Sequence, residues 1–151
     1  MNIVMGSDHY GLDLKNVIKE HVESQGHTVD DLGTHTHDAV AYPDIALKVA
    51  QDIADAKHER GILICGTGIG MAIVANKVPG VRAAQVHDVY QAERARKSND
   101  AQIMTMGSQV IGPELAKLLV DAWLRSEFAG GRSAPKVARI KAIDEQFRRR
   151  E

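Results

Sequence analysis

The chemistry this chain can perform is most visible in one short run: Cys65-Gly66-Thr67-Gly68-Ile69-Gly70-Met71. Three glycines let the backbone turn tightly and aim several N–H groups at one spot, which makes an anion nest. The segment that follows, through Met71, Val74 and Ala75, is helical in period and adds its positive end, so Cys65 sits where a thiolate is favoured. A basic thiolate beside fixed N–H donors suits removal of a proton next to a carbonyl, with the donors holding the oxyanion that develops. Such a pair can move a proton between adjacent carbons of a sugar without a redox cofactor. The commoner fate of a lone cysteine at a strand end is to be a small buried apolar residue. Its position at the opening of a glycine nest tips Cys65 toward chemistry.

Other segments could join it. His9, beside Asp8 in Gly6-Ser7-Asp8-His9, reads as a phosphate ligand or a solvated loop histidine. Tyr42, in Tyr42-Pro43-Asp44, either marks a helix start or walls a small-molecule site. Arg132, after Gly130-Gly131, could grip phosphate with its planar fork or be an ordinary surface charge. A competing class is a nucleotide-binding module, because Gly66-Thr67-Gly68 opens a helix and Asp88 follows at a distance suited to a ribose ligand. Gly70 falls one residue short of that fingerprint, however, and the run follows the third strand rather than the first.

The elements that must position these residues alternate between short β-branched runs and longer runs of helical period, the pattern of a parallel sheet covered on both faces. Five strands are expected, at Asn2 to Met5, His27 to Asp31, Gly61 to Cys65, Val81 to Val86 and Gln102 to Met106. The expected fold is a Rossmann-like α/β three-layer sandwich with strand order 2-1-3-4-5. Core-facing helical stripes are expected at Leu14, Val17, Ile18 and His21, at Ile45, Ala46, Val49, Ala50 and Ile53, and at Leu115, Leu118, Leu119 and Ala122. Ser133 and Pro135 read as the cap and first turn of a last helix carrying Val137, Ile140, Ile143 and Phe147, ending in Arg148-Arg149-Arg150. No strand follows that helix, so its apolar face either closes its own domain or, the favoured expectation, reaches across to a second subunit. Ligands of such sheets sit beyond the carboxyl ends of the strands. If strand one lies beside strand three, the Asp8-His9 and Cys65–Gly70 loops face each other there.

Composition narrows the rest. At 151 residues the chain fits a single domain spanning 1–151, able to bury a core without disulfides or structural metal. A net charge of -1 offers no basic field for nucleic acid, so the expected partner is a small molecule. No apolar run approaches a membrane span, and the chain opens directly on a strand, so neither membrane insertion nor a cleaved leader is expected. One cysteine and seven scattered histidines form no zinc pattern, and the expected location is the cytoplasm.

Taken together, Gly6-Ser7-Asp8-His9, Asp38 to Asp44 with Tyr42-Pro43, Gly61 through Gly70, Ala75-Asn76-Lys77 and Gly130-Gly131-Arg132 resemble the ribose-5-phosphate isomerase B and galactose-6-phosphate isomerase family, along almost the whole chain. The resemblance implies an aldose-ketose isomerase of carbohydrate metabolism, interconverting ribose 5-phosphate and ribulose 5-phosphate, with no cofactor and no metal. It also implies a homodimer or homotetramer with active sites shared between chains. In that pattern Cys65 is the proton-transfer base, Thr67 and the amides of Gly66, Gly68 and Gly70 hold the enediolate, and Asp8 and Asn99 contact sugar hydroxyls. His9 and Arg132 would bind phosphate, with Lys136 standing where arginine is usual and Gln109 and Ser133 where arginine and histidine are common.

Ser98 occupies the position of the family's ring-opening histidine. A tetrose 4-phosphate cannot close into a furanose, because its C4 oxygen is esterified, so an enzyme for erythrose or erythrulose 4-phosphate needs no such group. Alternatively His87 supplies the proton, or ribose reacts through its small open-chain fraction. Some subunits of the family have lost the base and serve as structural partners; Cys65 argues against that role here.

Overall fold

The computed structural model describes residues 1–148; Arg149 and Arg150, expected at the end of the last helix, lie outside the described residues. Along the chain run β1 (Asn2–Ser7), α1 (Leu12–Ser24), β2 (Thr28–Asp31), α2 (Tyr42–Ala54), β3 (Arg60–Cys65), α3 (Ile69–Lys77), β4 (Ala83–Gln85), α4 (Val89–Lys97), β5 (Ile103–Gly107), α5 (Pro113–Leu124), a 3-10 turn (Gly131–Ser133) and α6 (Ala134–Arg148). The strands form one parallel sheet, and β1 pairs with β3 with Ser7 opposite Ile64. Its two faces bury separate apolar clusters. One gathers Ile3 and Met5 with residues of α1, α4 and α5; the other gathers Val4 and Leu63 with residues of α2 and α3. The three-layer α/β architecture is as expected.

The strand order is β2-β1-β3-β5-β4, which corrects the expected 2-1-3-4-5 at one edge. Burial explains the exchange. Every residue of β5 is buried, whereas β4 has three residues, Ala83-Ala84-Gln85, none of them buried. A strand apolar on both faces belongs inside a parallel sheet, and a short weak one is tolerated at its edge.

The α2 stripe is buried as expected, from Ile45 through Ile53. In α1 the buried positions are Leu12, Leu14, Lys15, Ile18 and Val22, so the face is rotated away from the expected Val17 and His21. Lys15 enters that face because its Nζ reaches Asp31 Oδ1 and the Thr34 carbonyl, each at 2.6 Å. In α5 Leu119 and Ala122 are buried, but Leu115 and Leu118 are exposed. Turning Trp123 and Val120 inward instead removes more apolar surface from water. Pro135 lies in the first turn of α6, and Val137 is the one residue of that helix that is buried. Ile140, Ile143 and Phe147 remain 43%, 40% and 54% exposed.

Among the described residues no helix is long and apolar enough to cross a membrane. One group of potential ligands, Asp30, Asp52 and His58, lies away from the Cys65 loop. His58 faces Asp30 through Nε2 at 3.4 Å and Asp52 through Nδ1 at 3.6 Å, and one potential ligand atom from each of the three residues lies within 4.8 Å of the others.

Candidate active site

Because β1 and β3 are neighbours, the loops that follow them face one another at the carboxyl end of the sheet. Cys65 ends β3 with only 5% of its surface exposed, and its Sγ accepts the Gly68 N–H at 3.1 Å. That bond depends on Gly68 adopting a left-handed conformation, φ 79°, as the residue preceding α3. The Thr67 hydroxyl accepts the Ile69 N–H at 3.2 Å. Behind the loop, four successive carbonyls are occupied: Cys65 and Gly66 accept from the amides of Ser108 and Gln109, Thr67 from the Gln85 side chain, and Gly68 from the Thr105 hydroxyl. The amides of Gly66 and Thr67 have no partner among the described residues, so they stand as open donors beside the sulfur. The start of α3 adds its positive end.

Tyr42 begins α2, and its ring lies so close to Gly70 in the nest that a Cβ there would overlap it. Asp8 is buried, and its Oδ1 accepts the Gly11 N–H at 3.0 Å, which fixes the carboxylate at the foot of the β1 loop. His9 stacks at 4.4 Å on Tyr10 and its Nδ1 accepts the Val40 N–H at 3.2 Å, leaving Nε2 for a ligand. His87 accepts the Gly107 N–H through Nε2 at 3.0 Å. Burial pushes its pKa below the ordinary histidine range, so the ring is neutral near pH 7 with its proton on Nδ1. Asp88, the candidate ribose ligand of the nucleotide-binding reading, instead caps α4 by accepting the Gln91 N–H at 2.7 Å.

The remaining expected residues are not brought to Cys65 within the chain. Ser98 closes the C-terminal end of α4, its hydroxyl taking a bond from Arg94 at 3.3 Å. Asn99 follows it, and its carbonyl accepts from Arg82, which precedes β4. These residues therefore sit at the opposite end of the sheet, on the order of 15 Å away by the rise of a strand. Arg132 and Lys136 are exposed and make no bond to a residue of the crevice among the described residues. The nest half of the expected site is thus assembled, and Ser98, Asn99, Arg132 and Lys136 face elsewhere.

Three residues that the sequence reading did not single out support the nest half. Lys15 is wholly buried and ties Asp31 to the loop that carries Thr34. Burial pushes the Asp31 carboxyl up, but the bond from Lys15, then that from the Gly33 N–H and the Lys15 charge, outweigh it and hold the group below its ordinary value. The only hint in sequence is a lysine inside an otherwise apolar helix face. Gln85 and Thr105 are the others, legible only as polar residues near the carboxyl ends of two strands. Asn76, one of the residues carrying the family resemblance, has a structural use: its side chain exchanges two bonds with the Ala83 backbone, joining α3 to β4.

Comparison with known proteins gives the same picture from outside the chain. The model of the family described as Ribose/Galactose Isomerase matches residues 3–140. The D-erythrulose-4-phosphate isomerase of Pectobacterium atrosepticum is 54% identical over 147 residues, 97% of each chain. The ribose-5-P isomerase B of Listeria innocua is 53% identical, over 98% of this chain and all of its own. Among solved structures, ribose-5-phosphate isomerase B of Clostridium thermocellum superimposes with a TM-score of 0.95 at 46% identity, covering 97% of this chain and 99% of that one. The chain belongs to the ribose/galactose isomerase family and is an aldose-ketose isomerase of sugar phosphates.

Proposed function

We propose that the chain works by a ribose-5-phosphate isomerase B type of mechanism in the cytoplasm, with Cys65 as the base. The carrying observation is the Cys65 sulfur, bonded to the Gly68 N–H beside the open amides of Gly66 and Thr67. The sulfur takes the C2 proton of the open-chain aldose, the electron pair moves onto the carbonyl oxygen, and the enediolate rests on those amides and the Thr67 hydroxyl. Passage of the O2 proton to O1 and return of the proton from the same sulfur to C1 complete the ketose, with no net gain or loss of protons. Asp8 and His9 are the first chain's contacts to hydroxyls and phosphate.

Asn99, Arg132 and Lys136 serve the same reaction from a second copy. The place of Asn99, at the opposite end of the sheet from its own Cys65, and the exposed Ile140 and Ile143 of α6 support this reading. Mixing Cys65→Ala with Arg132→Ala, each nearly inactive alone, is expected to restore about a quarter of wild-type activity: half the dimers are mixed, and each mixed dimer keeps one intact site. No recovery after subunit exchange would place both residues in one chain's site.

Ribose 5-phosphate is the substrate of the type B pattern, and one position favours a second reading. Ser98 has no proton to exchange near neutral pH, and the Nε2 of neutral His87 is already bonded to Gly107. A substrate that needs no ring opening, D-erythrulose 4-phosphate or its aldose, fits a site so equipped. The relatives include enzymes named for each sugar. Steady-state kinetics decide: turnover of both is expected, with kcat/KM higher on the tetrose phosphate by about tenfold or more, the scale of one acid-base contribution or less. A preference for ribose 5-phosphate would return the substrate to the first reading.

A further inference from the structure

We propose that Gln85 and Thr105, which touch no substrate atom in this account, are positioning residues that aim the two bonded donors of the nest. A trans peptide is planar, with its C=O and N–H pointing in opposite directions, so fixing one fixes the other. The Thr67 carbonyl shares a plane with the Gly68 N–H. Gln85 Nε2 donates to that carbonyl at 2.8 Å, and on the other side of the plane the Gly68 N–H meets the Cys65 sulfur at 3.1 Å. The Gly68 carbonyl shares the next plane with the Ile69 N–H. Thr105 Oγ1 donates to it at 2.7 Å, and the Ile69 N–H in turn orients the Thr67 hydroxyl at 3.2 Å.

The two preceding planes need no side chain, because the Cys65 and Gly66 carbonyls are taken by the Ser108 and Gln109 amides. Backbone alone holds the planes whose amides stay open; the Gln85 side chain holds the plane whose amide bonds the sulfur, and Thr105, together with the Ala72 N–H at 3.2 Å, holds the plane whose amide bonds the hydroxyl. Gln85 and Thr105 are direct partners in the β4–β5 register, so they act as one rung of the sheet extended into the loop. The strand order makes this possible, since β4 must lie beside β5 for the rung to exist. Thr105 is wholly buried, whereas Gln85 is exposed on an edge strand. A glutamine in that place has no need of burial satisfaction, which leaves its bond to Thr67 as a matter of orientation.

This inference rests on Cys65 being the base, and its test is arranged to judge the two separately. Gln85→Leu and Thr105→Val remove the donors while keeping similar volume; Thr105→Ser keeps the hydroxyl. Asp8, His9 and His87, the titratable groups of the crevice, are untouched by all three. Gln85→Leu is expected to lower kcat about tenfold with KM within about twofold of wild type, the scale of one hydrogen bond to a charged group. It should also slow alkylation of Cys65 by iodoacetamide at pH 7 severalfold, a readout that needs no sugar. Thr105→Val should lower kcat similarly, and Thr105→Ser should regain wild-type kcat within about twofold. Wild-type kcat and alkylation rate in Gln85→Leu would overturn the proposal, as would equal losses in Thr105→Ser and Thr105→Val. If Cys65→Ala retained turnover, the base assignment would fail, and the alkylation rates would still decide whether Gln85 aims the donor at the sulfur.

Discussion

Cys65→Ala is expected to fold as the wild type does and to lose at least about 10² in kcat, the lower end of what a positioned acid-base group supplies. The substitution removes one sulfur from a side chain that is 5% exposed and leaves β3 otherwise intact. Its cost in stability should be about 1 kcal/mol, the scale of one buried group the size of a methylene. The nest keeps its open amides, so sugar phosphate should still bind and KM should change little. The loss belongs to the proton-transfer step alone. Thermal melting and kinetics on the same preparation check both halves, and a drop in kcat accompanied by a collapsed Tm would not count in favour.

Gly68→Ala is expected to lower kcat by about 10²–10³, the effect of losing an oxyanion-type donor, and to lower Tm as well. Two separate penalties meet at this residue. Its φ of 79° costs an alanine roughly 1–2 kcal/mol, and a Cβ would stand 2.9 Å from the backbone of Met106 in β5. Backbone cannot yield as a flexible side chain can. The loop must shift, breaking both the Gly68 N–H bond to the sulfur and the Thr105 bond to the Gly68 carbonyl. Gly26 supplies the control: its φ is +92°, yet nothing lies within 4 Å of a Cβ there. Gly26→Ala should share the strain, lose about 1 kcal/mol of stability and keep full kcat. Equal kinetics in the two variants would mean that the nest does not depend on the Gly68 conformation.

What the sequence revealed about the site follows from how local each feature is. The run from Cys65 to Gly70 carries its own geometry, because glycines and a following helix start suffice to build an anion nest wherever the fold places them. Strand adjacency was legible for β1 and β3, whose apolar runs demand interior places. Which of β4 and β5 lies beside β3 was not legible, since the two are neighbours in either order and only the weak Ala83-Ala84-Gln85 run hints at an edge. Lys15 escaped notice because its burial depends on Asp31 and Thr34, residues from a different element. Gln85 and Thr105 escaped for the same reason, acting on carbonyls 18 and 37 residues away in sequence. The helix faces were misread where one large residue set the rotation: Trp123 turned Leu118 out to solvent. Ser98, Asn99, Arg132 and Lys136 differ in kind, since a single chain, read or folded, does not bring them to its own Cys65.

Everything in this mechanism turns on where one carbon-bound hydrogen goes. Substrate carrying deuterium at C2, followed by NMR in the presence of wild type and Cys65→Ala at equal concentration, tracks that hydrogen directly. Wild type is expected to release the deuterium to solvent or deliver it to C1, and Cys65→Ala to do neither while still binding the sugar phosphate. Deuterium leaving C2 at the wild-type rate in Cys65→Ala would contradict Cys65 as the base.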